Sequence, residues 1–576
     1  MGLINSALHI GRNALLGYQS ALQVIGSNIS SAGSPNYTRL SPQLDPLQGV
    51  PVAGGLQPGA GVTLTGIRRS VDDALENRLR LATGQVEATR IEQSALAQAE
   101  TLFDDVGGAG VATRLSDFFN SFDDLQNSPE DVAARDLVIA NGKALASSLS
   151  VLRSSLTNLS GDLDSQIPGL VAQADDLAAG IAQLNDRIAR SEAAKRGQAT
   201  GLRDQRDGLL RQLGEIVDVT VREEQDGSIN VYVGSESLIQ AGVSRGLTTV
   251  RTTSEGVTRT RVVFAGSGAS VATRGGKLAG LIRARDEHTL GRIQAIDDLA
   301  SALIAEVNRV HADGQGAVGY RSIVAGASLL ATDVPLDRFD AGLNIAPSDG
   351  SFFIAVADDA TGTVVAHRID ISLTGQADDT TLASLVEQIN ANVPGVTASI
   401  TADNRFAIDA ADGFTFTFGH DGQVARTDSS GLLSALGVNT FFQGSDATDI
   451  AVRDNIASDP RLLAAAGAGA IGDGTNAGKM AALQTSPSER LAGRSVIEAF
   501  NAVSTNVAVI AAAANAGADS ASSIFSALAA QRESISGVSL DEEAIELLKF
   551  ERAFQGAARY VGVVDDLIRE LMNLVI

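Results

Sequence analysis

Two glycine-rich stretches are the first places where residue spacing could carry chemistry. Gly467-Ala468-Gly469-Ala470-Ile471-Gly472 satisfies the G-x-G-x-x-G spacing of a dinucleotide turn. Such a turn has to follow a strand, whereas Leu462-Leu463-Ala464-Ala465-Ala466 before it reads as helix. Gly472 through Met480 nearly spells a phosphate loop, but the spacing is wrong and Met480 stands where a hydroxyl would have to reach Mg²⁺. The carboxylate pairs Asp104-Asp105, Asp123-Asp124, Asp175-Asp176, Asp297-Asp298 and Asp565-Asp566 are adjacent in sequence. Adjacent helical residues do not face each other, so these pairs read as solvated faces rather than acid and base. His9, His288, His311, His367 and His420 have no metal-ligand spacing. Absence of cysteine excludes disulfides and thiolate sites, no G-x-S-x-G is present, and the Asp-Gly turns lack the ligand pattern of a calcium loop. No catalytic constellation remains, and no cofactor or metal is expected.

The chemistry left is association, and the two chain ends carry it. One series at the C-terminus is Leu540, Leu547, Phe554, Val561, Ile568, Val575; a second, offset by three, is Glu543, Phe550, Ala557, Val564, Leu571. Only Glu543 breaks these two heptad stripes, the pattern of a helix packing along another helix. Gly537 ends the preceding helix, Ser539 is placed to cap the next, and Asp541, Glu542 and Glu543 fall in its first turn, where the helix dipole favours carboxylates. The N-terminus carries a matching stripe of Ile4, Leu8, Gly11, Leu15, Tyr18, Leu22, Ile25 and Ile29, with Gly11 its one non-apolar member. A single amphipathic helix is marginal in water, so the ends are expected to pair with each other, with neighbouring copies, or with both.

Composition bounds the partners. A length of 576 residues suggests about three or four domains. A net charge of −24 and a pI of 4.6 argue against nucleic acid and anionic membrane surfaces. No run of about 18 unbroken apolar residues is present, so no membrane insertion is expected. The striped N-terminus is not a secretory signal.

The N-terminal stripe runs into a turn-rich segment, Ser27-Asn28-Ile29-Ser30-Ser31-Ala32-Gly33-Ser34-Pro35-Asn36-Tyr37-Thr38-Arg39. This run resembles the Asn-Ile-Ser/Asn…Pro-Gly-Tyr-Ser/Thr-Arg signature of the axial proteins of the bacterial flagellum, and its Tyr37-Thr38-Arg39 ending is most similar to the hook-associated protein 1 branch. Asn36 stands where that family usually has Gly; Asn is the other residue that tolerates positive φ. Leu40 stands where Gln is usual. Ser536-Gly537-Val538-Ser539-Leu540-Asp541-Glu542-Glu543 is similar to the family's C-terminal signature. The Asp204-Gln205-Arg206-Asp207 helix with its following hairpin, the Gly275-Gly276-Lys277-Leu278 helix start, and Gly472 to Gln484 also resemble family segments.

In chain order, a Pro- and Gly-rich connector (residues 41–66) precedes a helix from Val71 to about Val106, a short helix around Leu115, Phe118, Phe119 and Phe122, and long helices from Val132 to about Ile216 interrupted near Gly161, Pro168 and Gly197. Val217-Val219-Val221 and Ile229-Val231-Val233 alternate about Asp226-Gly227 as a hairpin. Tyr320 to about Asp454 is strand-rich with one helix near Leu382–Ile389, and most of it shows no family signature. The expected fold is mainly α with β insertions: paired terminal coiled-coil helices (1–45 and 537–576), a split long-helix domain (46–216, 275–313 and 455–536), a small β-hairpin region (217–274) and an inserted β-rich outer domain (320–454), elongated overall.

What the resemblance implies is a non-enzymatic structural protein of the hook-filament junction. It would polymerise through its terminal helices and be exported by the flagellar type III route without a cleaved signal. Implied partners are further copies of itself, the hook protein, the second junction protein and an export chaperone on the C-terminal helix. The expected assembly interface is Ile4, Leu8, Leu15, Tyr18, Leu22, Ile25, Ile29, Leu540, Leu547, Phe550, Phe554, Val561, Val564, Ile568 and Leu571, with Asn28, Pro35, Asn36, Tyr37 and Arg39 as the signature turn. Another axial protein, hook or distal rod, is one alternative. A secreted adhesin or glycan-binding protein is another, which an exposed aromatic cluster in 320–454 would favour; Phe352, Phe353, Phe414, Phe416 and Phe418 alternate instead as if facing a core.

Overall fold

The computed structural model describes residues 2–34, 37–48, 59–104, 110–193, 197–254, 257–376, 378–421, 424–467 and 472–575. The chain is mainly helical with small antiparallel sheets, and it divides into two compact units. The first comprises Met1–Ala95, Asp162–Arg285 and Ala513–Ile576; the second comprises Leu96–Gly161 and Asp286–Ala512.

The first unit holds both terminal helices, Gly2–Ser30 and Leu540–Val575. Between them in sequence, Leu40–Pro46 and Val62–Arg69 form an antiparallel ribbon in register Leu40↔Arg69, bulged between Gln43 and Leu44. The expected hairpin is present: Thr220–Glu223 pairs with Ile229–Val233, Val221 opposite Val231, across a turn in which Gly227 takes φ +82. Two further short strands, Glu236–Gln240 and Val243–Ser244, extend it to a four-stranded sheet in sequential order.

The helix Val132–Glu192 runs unbroken through Gly161 and Pro168, where interruptions were expected. Leu163, Ile167, Val171 and Ala174, spaced by four and three, are buried around the proline. Tertiary burial of that stripe outweighs one lost backbone hydrogen bond. The expected break near Gly197 does occur, with that glycine at φ +83.

The second unit is built on phenylalanine. Phe118 and Phe122 of the helix Val111–Asn127 pack at tilted and edge-on angles against Phe441, and Phe118 also meets Phe442, with ring centroids 5.5–6.0 Å apart. The strand-rich part forms two three-stranded antiparallel sheets. Val364–Ile371, Gly350–Asp358 and Phe414–Phe418 make one; Val396–Ile400, Phe406–Ala410 and Ser322–Val324 make the other. The helix Leu382–Asn392, started by a Thr381/Ser384 capping box, packs on their common core. Phe352, Phe416 and Phe418 are buried there, and Phe353 and Phe414 are half-buried.

His311 anchors the entry to this core. Its Nδ1 donates to the Asn439 carbonyl (2.7 Å), and its Nε2 accepts from the Ala464 N–H (3.0 Å). Full burial holds its pKa down to about 4, so the ring is neutral. Asn439 in turn donates to the carbonyls of His311, Ala312 and Gly314 and accepts from the Tyr320 hydroxyl.

The glycine-rich stretches take other roles. Residues 468–471 of the G-x-G-x-x-G lie outside the described residues. Leu463–Ala466 before them is not helical: Ala466 bridges to Gln315, and the Ala464 peptide is satisfied by His311 and by Asn476. Gly474 and Gly478 lie so close to Gln126 that a side chain would collide, and Met480 is fully buried. The near-miss of a phosphate loop is therefore a helix–helix contact. Two of the carboxylate pairs are not solvated faces throughout. Asp297 turns inward to Arg153 (3.2 Å), and Asp175 accepts from the Leu247 N–H (3.0 Å).

The helical run Val496–Asn573 contains one stretch long and apolar enough to cross a bilayer by length and composition. Interspersed Asn, Ser and Thr break any continuous apolar run there, while repeats such as Ala511-Ala512-Ala513-Ala514 keep the average high.

Candidate assembly interface at the paired termini

The two terminal helices pair antiparallel. Gly11 lies against Val561 and Tyr560, Tyr18 packs on Phe550 with centroids 6.3 Å apart, and Asn28 reaches Glu543. Of the expected stripe, Ile25 and Val564 are buried. Leu8, Leu15, Tyr18, Leu22, Ile29, Leu547, Phe550, Phe554, Val561 and Ile568 are half-buried. Leu540 and Leu571 are not on the seam but exposed. The partner helix runs only from Gly2 to Ser30, and the antiparallel register carries both leucines past its ends. Ile4 belongs to the N-terminal helix, but its side chain, like Pro35 and Asn36, lies outside the described residues.

The two exceptions in the stripes have physical reasons. At Gly11, any side chain would run into Val561, so the glycine sets the closest approach of the two helices. Glu543 is only 2% exposed and has its partners on the signature turn. Asn28 Nδ2 donates to Glu543 Oε2 (2.8 Å), and Arg39 Nε donates to Glu543 Oε1 (2.8 Å). Arg39 Nη1 also reaches Glu542 (2.7 Å), and the Arg39 N–H donates to the Ser536 carbonyl (3.0 Å).

Asn28 is fully used. Its amide donates to the Leu40 carbonyl (2.8 Å) and accepts from the Leu40 N–H (3.0 Å) and the Tyr37 hydroxyl (2.8 Å). Burial raises the Tyr37 pKa above the ordinary phenol value, so the hydroxyl remains a donor. The turn thus fixes the exit of the N-terminal helix, the first strand of the ribbon and the start of the C-terminal helix in one network.

A second polar layer continues it. Arg69, at the end of the ribbon, pairs with Asp204 (2.7 Å) and Asp207 (2.5 Å) of the helix Thr200–Ile216. Arg203, on the same helix, pairs with Glu192 (2.9 Å) and Glu223 (3.1 Å). Burial alone would raise the Glu192 pKa, but hydrogen bonds from Arg203 and from the Gly197 and Ala199 amides outweigh it and hold it at about 2.

Periodicity missed one set of residues. Ile545, Leu548, Val563, Leu567 and Met572 lie off both heptad series and are more than half exposed, and Leu16 of the partner helix is exposed as well. A groove lined by Leu8, Leu15, Leu16 and Val561, with His9 and Arg12 beside them, lies open on the same helix pair. Among the described residues, no three His, Asp or Glu side chains converge as a metal site.

Comparison with known proteins bears on this arrangement. Over nearly their whole lengths (99% of each), this chain is 27% identical to flagellar hook-associated protein 1 of Escherichia coli and 26% identical to that of Salmonella typhimurium. It is 24% identical to that of Bacillus subtilis over 98% of this chain and 97% of the other. Residues 96–323 match the helical domain of flagellar hook-associated protein FlgK. The chain belongs to the flagellar hook-associated protein 1 family. Residues 357–412 match the flagellin hook IN motif, so the strand-rich segment, where no flagellar signature was expected, carries one. A solved flagellar hook junction protein FlgK from Burkholderia pseudomallei overlays with a TM-score of 0.48 at 17% identity, covering 80% of this chain and all of that one.

Proposed function

We propose that this chain is the structural subunit joining the flagellar hook to the filament, and that it polymerises through its paired terminal helices. The observation that carries the reading is the exposed row Ile545, Leu548, Val563 and Leu567, left over after the two helices have paired. Burying one such side chain contributes about 1.5–3 kcal/mol, repeated in every subunit of a tube. The chain works by packing and not by turnover. Its neighbours are further copies of itself, the hook protein on one side and the second junction protein on the other. An export chaperone covers the C-terminal helix beforehand, and the protein leaves the cell without a cleaved signal peptide. The split of the chain into terminal, helical and β-rich parts at the boundaries given above belongs to the same proposal.

Electron microscopy of cells lacking the gene tests this. Hooks without filaments are expected, and normal filaments on those hooks would overturn it. The glycan-binding alternative gains no support from the insert, whose aromatic side chains Phe352, Phe416 and Phe418 are spent on its core.

A further inference from the structure

The strand-rich part of the second unit carries an apolar knob. Phe339, in the single 3₁₀ turn Phe339–Ala341, is 96% exposed, more than any other large apolar side chain among the described residues. Leu330, 74% exposed, is held against the same turn, its N–H donating to the Ala341 carbonyl (3.0 Å). The two form a small apolar patch rimmed by the exposed Asp337, Arg338 and Asp340. The patch is firmly seated. Leu336 is fully buried, its N–H donates to the Thr380 carbonyl (3.0 Å), and Pro335 bridges to Thr381, the N-cap of the helix Leu382–Asn392. The knob therefore stands at the N-terminal end of that helix.

A matching pocket lies at the other end. The helix is 11 residues long, about 16 Å. Two residues beyond it, Pro394 joins Val356, Val365 and Phe414 in lining an open pocket of about 360 Å³, with Asp358 and His367 on its wall. Val356 pairs with Val365 on one neighbouring strand and with Phe416 on the other, and Asp358 pairs with Phe414. Directly opposed residues share a face, so the pocket is the outer end of the sheet face whose Ile354 and Phe418 are buried in the core. That face continues past its cover, which leaves Val365 half exposed. The space is ample for one phenyl ring. Within one copy Phe339 cannot fill it, since the helix separates the two. Between copies the two ends meet head to tail, a heterologous contact of the kind that builds rings or helical rows. Charge agrees with this pairing: Arg338 adjoins the knob and Asp358 the pocket.

We propose that Phe339 of one copy inserts into the Val356, Val365 and Phe414 pocket of the next, a second contact between copies that lies outside the terminal helices. It rests on the reading that copies polymerise, but its test needs no flagellum, so it can fail while cells lacking the gene still show bare hooks. The chain has no cysteine, which makes disulfide trapping of the purified full-length protein clean. Copies carrying Asp340→Cys, beside the knob, are mixed with copies carrying Thr363→Cys, on the pocket wall, and oxidised with copper phenanthroline in air. Val364→Cys, on the opposite face of the same strand, replaces Thr363→Cys as the control. The mixed 340–363 disulfide should form about ten-fold faster than the 340–364 one and than either homodimer. Adding Phe339→Ala to the Asp340→Cys copy should remove that advantage, about ten-fold in rate. Arg338→Glu, which turns the charge facing Asp358 into repulsion, should slow it about three-fold. All these positions are exposed, and circular dichroism checks that each variant is folded. Equal rates for the 363 and 364 pairs, faster homodimers, or trapping unaffected by Phe339→Ala would overturn the assignment.

Discussion

Asn28 and Glu543, 515 positions apart, share a buried hydrogen bond of 2.8 Å. The one acidic residue that interrupts the C-terminal stripe is therefore placed to receive the signature turn. It accepts one bond on each oxygen, from Asn28 and from Arg39. A carboxylate buried at a helix seam without partners would cost several kcal/mol. With these partners it ties the two ends together in a single register, since sliding either helix by a turn would strand it.

This pairing sets the first prediction. Asn28→Ala leaves the Leu40 peptide and the Glu543 carboxylate short of partners, at about 1–3 kcal/mol for each unsatisfied group. Hydrogen exchange over residues 6–30 and 540–573 should rise by a corresponding factor, while amides of the second unit stay unchanged. Glu543→Gln keeps an acceptor and should have a smaller effect. Equal exchange in wild type and Asn28→Ala would show that the network does not hold the ends.

Gly11 gives the second. Gly11→Ala forces a methyl into Val561 and should destabilise the helix pair by about 1–3 kcal/mol, the usual size of overpacking. Val561→Ala alone removes apolar contact and also destabilises. In the double variant the new methyl finds space, so the two losses should add to less than their sum. Strict additivity would mean that the two residues do not meet.

The third separates packing within a chain from packing between chains. Phe554→Asp places a carboxylate on the half-buried seam and should loosen the helix pair in the monomer and abolish junction formation. Leu567→Asp alters an exposed position and should leave the monomer's melting unchanged but stop assembly. Glu551→Ala, exposed and off both series, should do neither. Secreted protein is measured in the medium beside motility, so that failed export is distinguished from failed assembly. Normal motility with Leu567→Asp would remove that face from the assembly surface.

The fourth concerns pH and two residues separated by a single position, His311 and Asp313. His311 has its pKa lowered by burial from 6.5 to about 4. The unfolded chain binds a proton there that the folded chain refuses, so this contribution to stability is complete above pH 6.5 and is lost as pH falls towards 4. Asp313 has its pKa raised by burial from 3.8 to about 6, in spite of the hydrogen bond it accepts from the Asp428 N–H. Its contribution is complete below pH 3.8 and is lost as pH rises through 6. The two slopes oppose each other over nearly the same window. Asp313→Asn keeps the acceptor and removes one slope. Relative to wild type it should be more stable at pH 7 by up to about 3 kcal/mol and little changed at pH 4. Local stability is read from hydrogen exchange of Tyr320–Val452 amides at several pH values, and a wild-type profile unaltered by the substitution would contradict the balance.

How legible this was varies with the kind of information needed. The heptad seams and the Asp226-Gly227 hairpin were readable because period and turn chemistry are local properties. The identity of Glu543's partners was not, since nothing within the C-terminal helix says which side chain arrives from the other end of the chain. The polar break itself was the available signal. Leu540 and Leu571 belong to the stripe but stand outside the pairing of the two helices, because the stripe continues in sequence beyond the point where the partner helix stops in space. Ile545, Leu548, Val563 and Leu567 were missed because a second apolar row, offset from the first, looks like ordinary helix composition. Pro168 was read as a break by a local rule that burial of Ile167 and Val171 overrides.

The antiparallel pairing of the first helix with the last also has a temporal side. During synthesis, the stripe of Leu8, Leu15, Leu22 and Ile25 is made long before the helix Leu540–Val575 that it pairs with, so that apolar surface has no seam to enter until the later helix emerges. Closing so long a loop is slow compared with local helix formation. A molecule cut off before Leu540 would keep that surface bare and leave Asn28 and Arg39 without Glu543. The contact that sets the register thus also requires the helix Leu540–Val575 to have been made, and a copy without it would lack the paired helices that the proposed assembly is built from.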